Sequence, residues 1–350
     1  MNNIIVIDST SARQRFDRFC RKYFKPYAHI SLKDIYLRVR KGEIRVNGTK
    51  TAENYMLALG DEVKFHPSIL EQCVGKTEAK SNPAVIDNWM KKVHLKRDTL
   101  ILYEDKDWVI WNKPAGIVIH EGNKHADDIN MNELLEHYVK SKSWKAKKLK
   151  SEKAEGVARD EDDTSETFKP SFAFRLDKDT TGVLVSAKTY PALQHINAII
   201  REHDITKEYY ARVEWELVAN KQLIDAPLFK GYNATAGRAQ SFVNHEKWID
   251  SQTIVTTEKI VDNKHLGSIT LVKCQLLSGK MHQIRVHMAH IGHPVIGDIM
   301  YGNAILNRIA HKEYKINRQL LHSYHYAFVD HEGKKIEAIA PLPEDFEKLG

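Results

Sequence analysis

Cysteine is scarce in this chain: Cys20, Cys73 and Cys274 are all that 350 residues supply, odd in number and far apart. That pattern argues against a disulfide framework and a cysteine-built zinc site, and for a reducing compartment. Long apolar runs are lacking too, and none approaches the roughly 18 residues that a bilayer span requires. The opening MNNIIVIDST holds a short apolar tetrapeptide but neither a basic flank nor a cleavage pattern, so a secretory signal is not expected. These absences leave a cytoplasmic protein with no membrane partner. A composition of 42% hydrophobic and 28% charged residues is that of a globular chain rather than a disordered one, and the length allows two domains.

Positive charge is what the chain does have, a net +7 at neutral pH. Such an excess points to a polyanionic partner only where it is clustered, and it clusters in two places. The first is a unit over residues 10–66. RQRFDRFCRKYF (13–24) sets Phe16, Phe19, Cys20 and Phe24 at helical spacing with arginines and a lysine on the other faces, which predicts an amphipathic helix. HISLKDIYLRVRKG (29–42) predicts a second helix, with Ser31 as its cap and Gly42 as its stop. EIRVNGTKT alternates Ile44 and Val46 with polar residues and turns at Asn47-Gly48, a hairpin signal. LALGDEVKF closes the unit as a turn and strand. Arg38, Arg40, Lys41 and Arg45 fall near the junction of the second helix and the hairpin, one electropositive face able to follow a phosphate backbone. The order RFDRFCRKY, LRVRKGEIRVNG, LGDEV resembles the S-four RNA-binding domain. That resemblance implies a small helix-hairpin module that docks structured RNA and carries no chemistry.

Residues 67–98 are mixed and poorly periodic, as expected of a linker, and a larger domain follows over 99–350. Within it, 141–169 is lysine-rich, then acidic, and short of large apolar residues. It reads as a mobile excursion because it offers too little apolar surface to offset its ordering entropy.

Four blocks of the larger domain carry its chemistry. DWVIWNKPAGIVIHEGN (107–123) reads as a strand, a Lys-Pro turn with Gly116, and a second strand. FRLDKDTTGVLVSAKT (174–189) packs Asp177 and Asp179 among Arg175 and Lys178, ahead of Gly182 and an apolar strand. In KEYYARV (207–213), Lys207 and Tyr209 share one face of a predicted strand. SGKMHQIRVHMAHIGHPVIGDIMYG (278–302) delivers His282, Gln283 and Arg285 into a predicted amphipathic helix. A carboxylate ringed by cations is held ionised, the state of a nucleophile or an electrostatic stabiliser rather than a general acid. This counts against the paired acids of a glycosidase. Asp179, followed by Thr180-Thr181-Gly182, reads as a turn residue, and Asp298, after Gly297, as structural. His282, His287, His290 and His293 invite a metal hypothesis, but no cysteine or acid completes a ligand set nearby, so no metal is expected.

In this order, and most specifically at RLDKDTTG, KEYYA, HQIRVHMAHIGHPVIGD and LLHSYHYAF…APLP, the blocks resemble the RluA family of pseudouridine synthases. The resemblance implies an α+β fold, with a mixed, mainly antiparallel central sheet flanked by helices and a site in a central cleft. It implies that Asp177 is the essential aspartate, that Arg285 ion-pairs with it, and that Tyr209 stacks on the flipped base and is a candidate base for the C5 proton. Arg175 would enter the RNA where the uridine leaves, and Lys207, His282 and Gln283 join it as RNA contacts. Two positions depart from the family pattern: Phe174 stands where His is common, and Lys280-Met281 where Arg-Thr is usual.

Pseudouridine formation breaks the bond from the anomeric carbon to the base nitrogen, turns the uracil and rejoins it through C5, so no cofactor is implied. Asp177 either attacks the anomeric carbon or takes a proton from the 2′ carbon, and both routes stay open. By the same resemblance the partner is RNA, large-subunit ribosomal RNA first and transfer RNA second; a monomer is expected. The rival reading is a noncatalytic RNA-binding factor, which has no need to keep Asp177, Tyr209 and Arg285 together.

Overall fold

A computed structural model of the chain describes residues 3–8, 11–24, 32–73, 97–120, 129–139, 168–233, 238–243 and 249–350. The two expected N-terminal helices form at Phe16–Phe24 and Leu32–Lys41. The first buries Phe16, Phe19, Cys20 and Phe24, the stripe that its spacing predicts. The second stops where Gly42 turns left-handed at φ +72, while Glu43 N–H donates to the Arg38 carbonyl. Ser31, the expected cap, lies outside the described residues.

Asn47 and Gly48 both hold positive φ, 51 and 74, as the tight hairpin turn requires. The strand before them, β2 (Ile44–Val46), nevertheless finds its main partner in β3 (Glu62–Phe65) rather than just beyond the turn. The other edge of β3 takes β1 (Ile4–Val6). The first three residues of the apolar tetrapeptide at the N-terminus therefore form a strand, and Ile7, just after it, is buried in one core with Phe16, Val39, Ile44 and Phe65. Both ends of the expected linker are helical, at Pro67–Cys73 and Arg97–Leu100. Its middle, 74–96, lies outside the described residues, as does 141–167 of the expected excursion.

The body is a ten-stranded sheet ordered β4 (Ile101–Glu104), β5 (Trp108–Lys113), β7 (Thr181–Ala187), β14 (Leu321–Val329), β8 (Thr206–Glu214), β13 (Gly267–Leu276), β12 (Gln252–Asn263) and β9 (Lys221–Asp225). β6 (Ser171–Phe172) pairs with β7, and β15 (Lys335–Ile339) with β14. β7 and β14 run parallel, and every other pairing among the described strands is antiparallel. A separate hairpin joins β10 (Leu228–Asn233) to β11 (Arg238–Val243). This is the mixed, mainly antiparallel α+β architecture expected of the sequence. β7 is buried along its whole length. Its side chains Val183 and Val185 share a core with Ala192, Leu193 and Ile196 of the helix Tyr190–Arg201 and with Met288, as a centrally placed strand requires.

The first block departs from expectation. β5 forms, but residues 117–120 make no second strand. Instead the Val118 and Ile119 carbonyls accept the N–H groups of Met131 and Asn132, at the start of a helix over 131–139. Those N–H groups would otherwise lack partners, so this backbone is committed to capping. No helix among the described residues is long and apolar enough to cross a membrane.

Gly182 makes the parallel contact possible. Its φ is +102, and a Cβ there would lie 2.0 Å from the Ser323 carbonyl oxygen of β14. Neither the strain nor a backbone clash can be relieved by a rotamer. Gly182→Ala is expected to destabilise the body by at least about 3 kcal/mol, a fall in Tm of roughly 6–12 °C. Calorimetry of the variant with an unchanged Tm would contradict that account.

Candidate active site

The loop between β6 and β7 carries the motif around Asp177. Thr180 N–H donates to the Asp177 carbonyl at 3.1 Å, closing a turn, and Gly116 N–H donates to the Lys178 carbonyl at 3.0 Å. Beneath the loop lies Lys113, fully buried, whose Nζ donates to the carbonyls of Pro114 (2.9 Å), Lys178 (2.7 Å) and Thr180 (2.9 Å). Three carbonyls match the three N–H bonds of an ammonium. Burial pulls the Lys113 pKa down to about 7, against the attraction of Asp179 and Asp177. In the sequence this lysine reads as part of a Lys-Pro turn. The available signal was a lysine closing an otherwise buried strand.

Asp177 is 27% exposed, and its ion partner comes from far along the chain: Arg285 Nη1 donates to Asp177 Oδ2 at 2.8 Å, across 108 residues. Among the described residues, Asp177 pairs with Arg285, and His282 Nε2 lies 3.7 Å from its other oxygen, while its sequence neighbours Arg175 and Lys178 are exposed. The expected cage of local cations is thus replaced by one buried guanidinium. Arg285 is itself clamped by Asp298, with Nε donating to Oδ2 at 2.6 Å and Nη2 to Oδ1 at 2.8 Å. The Asp298 carboxylate is wholly buried, and its Oδ1 also accepts the N–H groups of Met300 and Tyr301. Burial opposes the charge on Arg285, but the two carboxylates outweigh it and its pKa lies above the ordinary value. Such a bidentate grip fixes the guanidinium plane, so one N–H points at Asp177 and the carboxylate's other oxygen stays free of Arg285. Gly297 permits the turn: its φ is +81, and a Cβ there would meet the Arg318 carbonyl at 2.0 Å.

Tyr209 lies on β8 as its parity predicts and is 6% exposed. Its Oη is 2.7 Å from Tyr326 Oη. Burial raises its pKa to about 12, with Asp177 adding to the effect. The phenol is protonated at neutral pH, which argues against Tyr209 as a resting base and leaves its aromatic body as the asset. Phe174, the residue that departs from the family pattern, stacks on Tyr326 at 4.8 Å with the rings 10° apart, so an apolar ring is used here inside the site wall.

Two expected RNA contacts are instead interior. Lys207 is 6% exposed, and burial, with Lys280 nearby, lowers its pKa. Gln283 is 2% exposed and fully engaged: its Oε1 accepts from Ser278 Oγ and Lys280 N, and its Nε2 donates to the Gln252 carbonyl and Thr253 Oγ1. It braces the 278–281 loop. The helix Gln283–His290 is not amphipathic, because Gln283 to Met288 are all buried. A helix enclosed on every side belongs to a core, and this enclosure shields the Arg285 pairs from water.

The four histidines do not converge. His287 spends both ring nitrogens on Thr253 Oγ1 and the Ala226 carbonyl, His293 Nδ1 meets the Glu214 carbonyl, and His290 is exposed. His282 lies at the site, with Nε2 3.7 Å from Asp177 Oδ1. In the N-terminal unit, Arg38 pairs with Glu43 and Arg40 with Glu53, while Lys41 and Arg45 are exposed. Arg15, Arg40 and Lys50 line an open groove there, of about 530 Å³.

Comparison with known proteins gives the family. Residues 107–290 match the family described as RNA pseudouridylate synthase. Ribosomal large subunit pseudouridine synthase C of Vibrio vulnificus is 30% identical over 99% of this chain and 95% of its own length. Its counterpart in Buchnera aphidicola subsp. Schizaphis graminum is 31% identical over 97% of this chain and 94% of its own length. Among solved structures, human RNA pseudouridylate synthase domain containing 1 superposes with a TM-score of 0.52 at 22% identity, covering 69% of this chain and 82% of that one, a likeness of fold. With more than half of its length inside the family match and relatives aligned nearly end to end, the chain belongs to the RNA pseudouridylate synthases, isomerases that turn uridine in RNA into pseudouridine.

Proposed function

We propose that this synthase acts on large-subunit ribosomal RNA, with Asp177 as its essential carboxylate, Arg285 as the cation that holds it and Tyr209 as the aromatic wall for the flipped base. The observation that carries the reading is the asymmetry at Asp177: Oδ2 is held by Arg285, whereas Oδ1 is turned toward His282, too distant at 3.7 Å for a hydrogen bond. A carboxylate held on one side and open on the other is oriented without being quenched. It suits attack on the anomeric carbon or removal of a 2′ proton. Flipping the uridine costs a few kcal/mol of stacking, and Arg175, exposed two residues before Asp177, would fill the gap. An aromatic face against the base contributes roughly 1–3 kcal/mol.

Large-subunit ribosomal RNA is favoured because the named relatives that align nearly end to end with this chain are large-subunit enzymes. Residues 10–66 serve as the S-four-type docking module, supported by two helices packed on a small sheet with a surface bearing Arg38, Arg40, Lys41 and Arg45. If Lys41 and Arg45 each meet a phosphate, removing both lowers the slope of log affinity against log salt by about two. An unchanged slope would remove them from the interface. The substrate is tested by tritium release from RNA labelled at uridine C5. Unmodified ribosomal RNA is expected to react and a transfer-RNA pool not to, and the reverse order would overturn the substrate assignment.

A further inference from the structure

Lys207 is a lysine inside the protein with no acid to balance it. It sits on β8 and is 6% exposed. Among the described residues no carboxylate pairs with its ammonium and no oxygen accepts from it. Its chain neighbour Glu208 points to the opposite face of the strand and is engaged by His325 and Lys273. The charge that does lie close has the same sign: burial, and after it the nearby Lys280, lowers the Lys207 pKa. Buried charges are ordinarily paired or hydrogen-bonded. Lys113 obeys that rule in the same body, with three carbonyls on its Nζ. Lys207 does not.

The amine is aimed toward the site. Lys207 and Tyr209 project from the same face of β8. Across the ladder from Lys207 lies Tyr326, whose ring stacks on Phe174, three residues before Asp177. Nζ ends beneath the 278–281 loop, where a Cβ on Gly279 would lie 3.9 Å from it. Gly279 is exposed, so the cover over the ammonium is a residue without a side chain, and an anion can approach past bare backbone. Gln283 holds the loop there, with Oε1 accepting the Lys280 N–H at 3.0 Å and Ser278 Oγ at 2.8 Å. The same loop runs on into His282 and Arg285.

We propose that Lys207, with Lys280 beside it, is an anion socket that takes a phosphate of the RNA next to the flipped uridine. The inference rests on the reading of Asp177 and Tyr209 as the site. Residues two apart on a strand lie about 7 Å from each other, and every nucleotide within an RNA strand has a phosphate on either side of its ribose. A base held against Tyr209 therefore brings backbone phosphate within reach of Lys207. The phosphate supplies the counterion that the protein lacks, in a charge-assisted hydrogen bond. Contacts of this kind fix register rather than read sequence. An ammonium locked in a core fixes it more sharply than a surface lysine on a free stem, and the free protein gives up stability to keep it there.

The test measures binding of the full chain to unmodified large-subunit ribosomal RNA as a function of salt. Lys207→Met has a similar shape and no charge. It is expected to weaken binding about tenfold and to lower the slope of log affinity against log salt by about 0.7–0.9. Its Tm is expected to be equal or higher, because an unpaired buried charge has gone. Gly279→Ala keeps the lysine but sets a methyl group over Nζ, the atom that a Cβ there would meet. It is expected to lower affinity and slope in the same way at an unchanged Tm, and it carries the test should Lys207→Met fail to fold. Inorganic phosphate at constant ionic strength is expected to raise the Tm of the wild type more than that of Lys207→Met. A slope unmoved in both variants would overturn the proposal. So would a Tm several degrees lower in Lys207→Met with the folded fraction binding normally, which would make the amine part of the fold. A phosphate effect lost in Lys207→Met beside an unchanged RNA slope would leave a site for free anions only, and the RNA assignment would fall. Should Asp177→Asn remain active, the reading of the site fails, while the salt slope, measured on binding alone, still decides the socket.

Discussion

Asp177→Asn is expected to abolish tritium release, by at least about 10⁴-fold, while the protein folds and binds RNA as before. The size follows from removing the group that bonds to, or takes a proton from, the ribose, a loss comparable to deleting a nucleophile elsewhere. The selectivity follows from the geometry. Asparagine has the same shape, and its carbonyl can still accept from Arg285 Nη1, now at Oδ2 of Asp177 at 2.8 Å. Arg285 keeps its other counterion in Asp298, so no buried charge is stranded. A fall in Tm of many degrees would mean that Asp177 matters chiefly to the fold. Retained single-turnover activity would remove it from the chemistry.

Asp298→Ala is expected to show the second-largest effect, and in the opposite sense: stability first, rate through stability's cause. Asp298 is wholly buried and Arg285 nearly so. Breaking a buried pair by deleting one partner costs about 3–5 kcal/mol, and although Arg285 keeps Asp177, that carboxylate is 27% exposed and takes a single N–H, so it replaces the buried bidentate partner only in part. For a body of this size that is a fall in Tm of roughly 6–20 °C. Two backbone N–H groups, of Met300 and Tyr301, lose their acceptor as well. Without the bidentate grip the guanidinium no longer aims one N–H at Asp177, and misplacement by about 1 Å can reduce a rate about 10²-fold. Calorimetry and single-turnover release measured on the folded fraction separate the two effects. A variant with normal Tm and normal rate would show that Arg285 is held in place by something other than Asp298.

How much of this was legible beforehand differs from residue to residue. Lys207 and Tyr209 could be placed on one face of a strand because strand parity is local. The positive φ at Asn47-Gly48 could be anticipated because few residues tolerate that conformation. The partner of β2 could not, since the tight turn says that the chain reverses but not that β3, reached through residues 49–61, supplies the better edge. By its motif Gln283 reads as an RNA contact, yet each part of its amide is used inside the protein. A motif marks that a residue type is needed and does not say whether it faces the substrate or the scaffold.

By itself the sequence determined the family, the strand face shared by Lys207 and Tyr209 and the tight turn at Asn47-Gly48, because these depend on residue type and on spacing over a few positions. Only the tertiary structure decided which charges meet. Arg175 and Lys178 are neighbours of Asp177 along the chain and point to solvent, whereas Arg285 arrives from 108 residues away. The physical reason is desolvation. A charge in water interacts weakly with its neighbours, and a charge enclosed by a core must find a counterion. Burial is set by which strands lie side by side in the sheet and by the enclosure of the helix that carries Arg285, not by proximity in sequence.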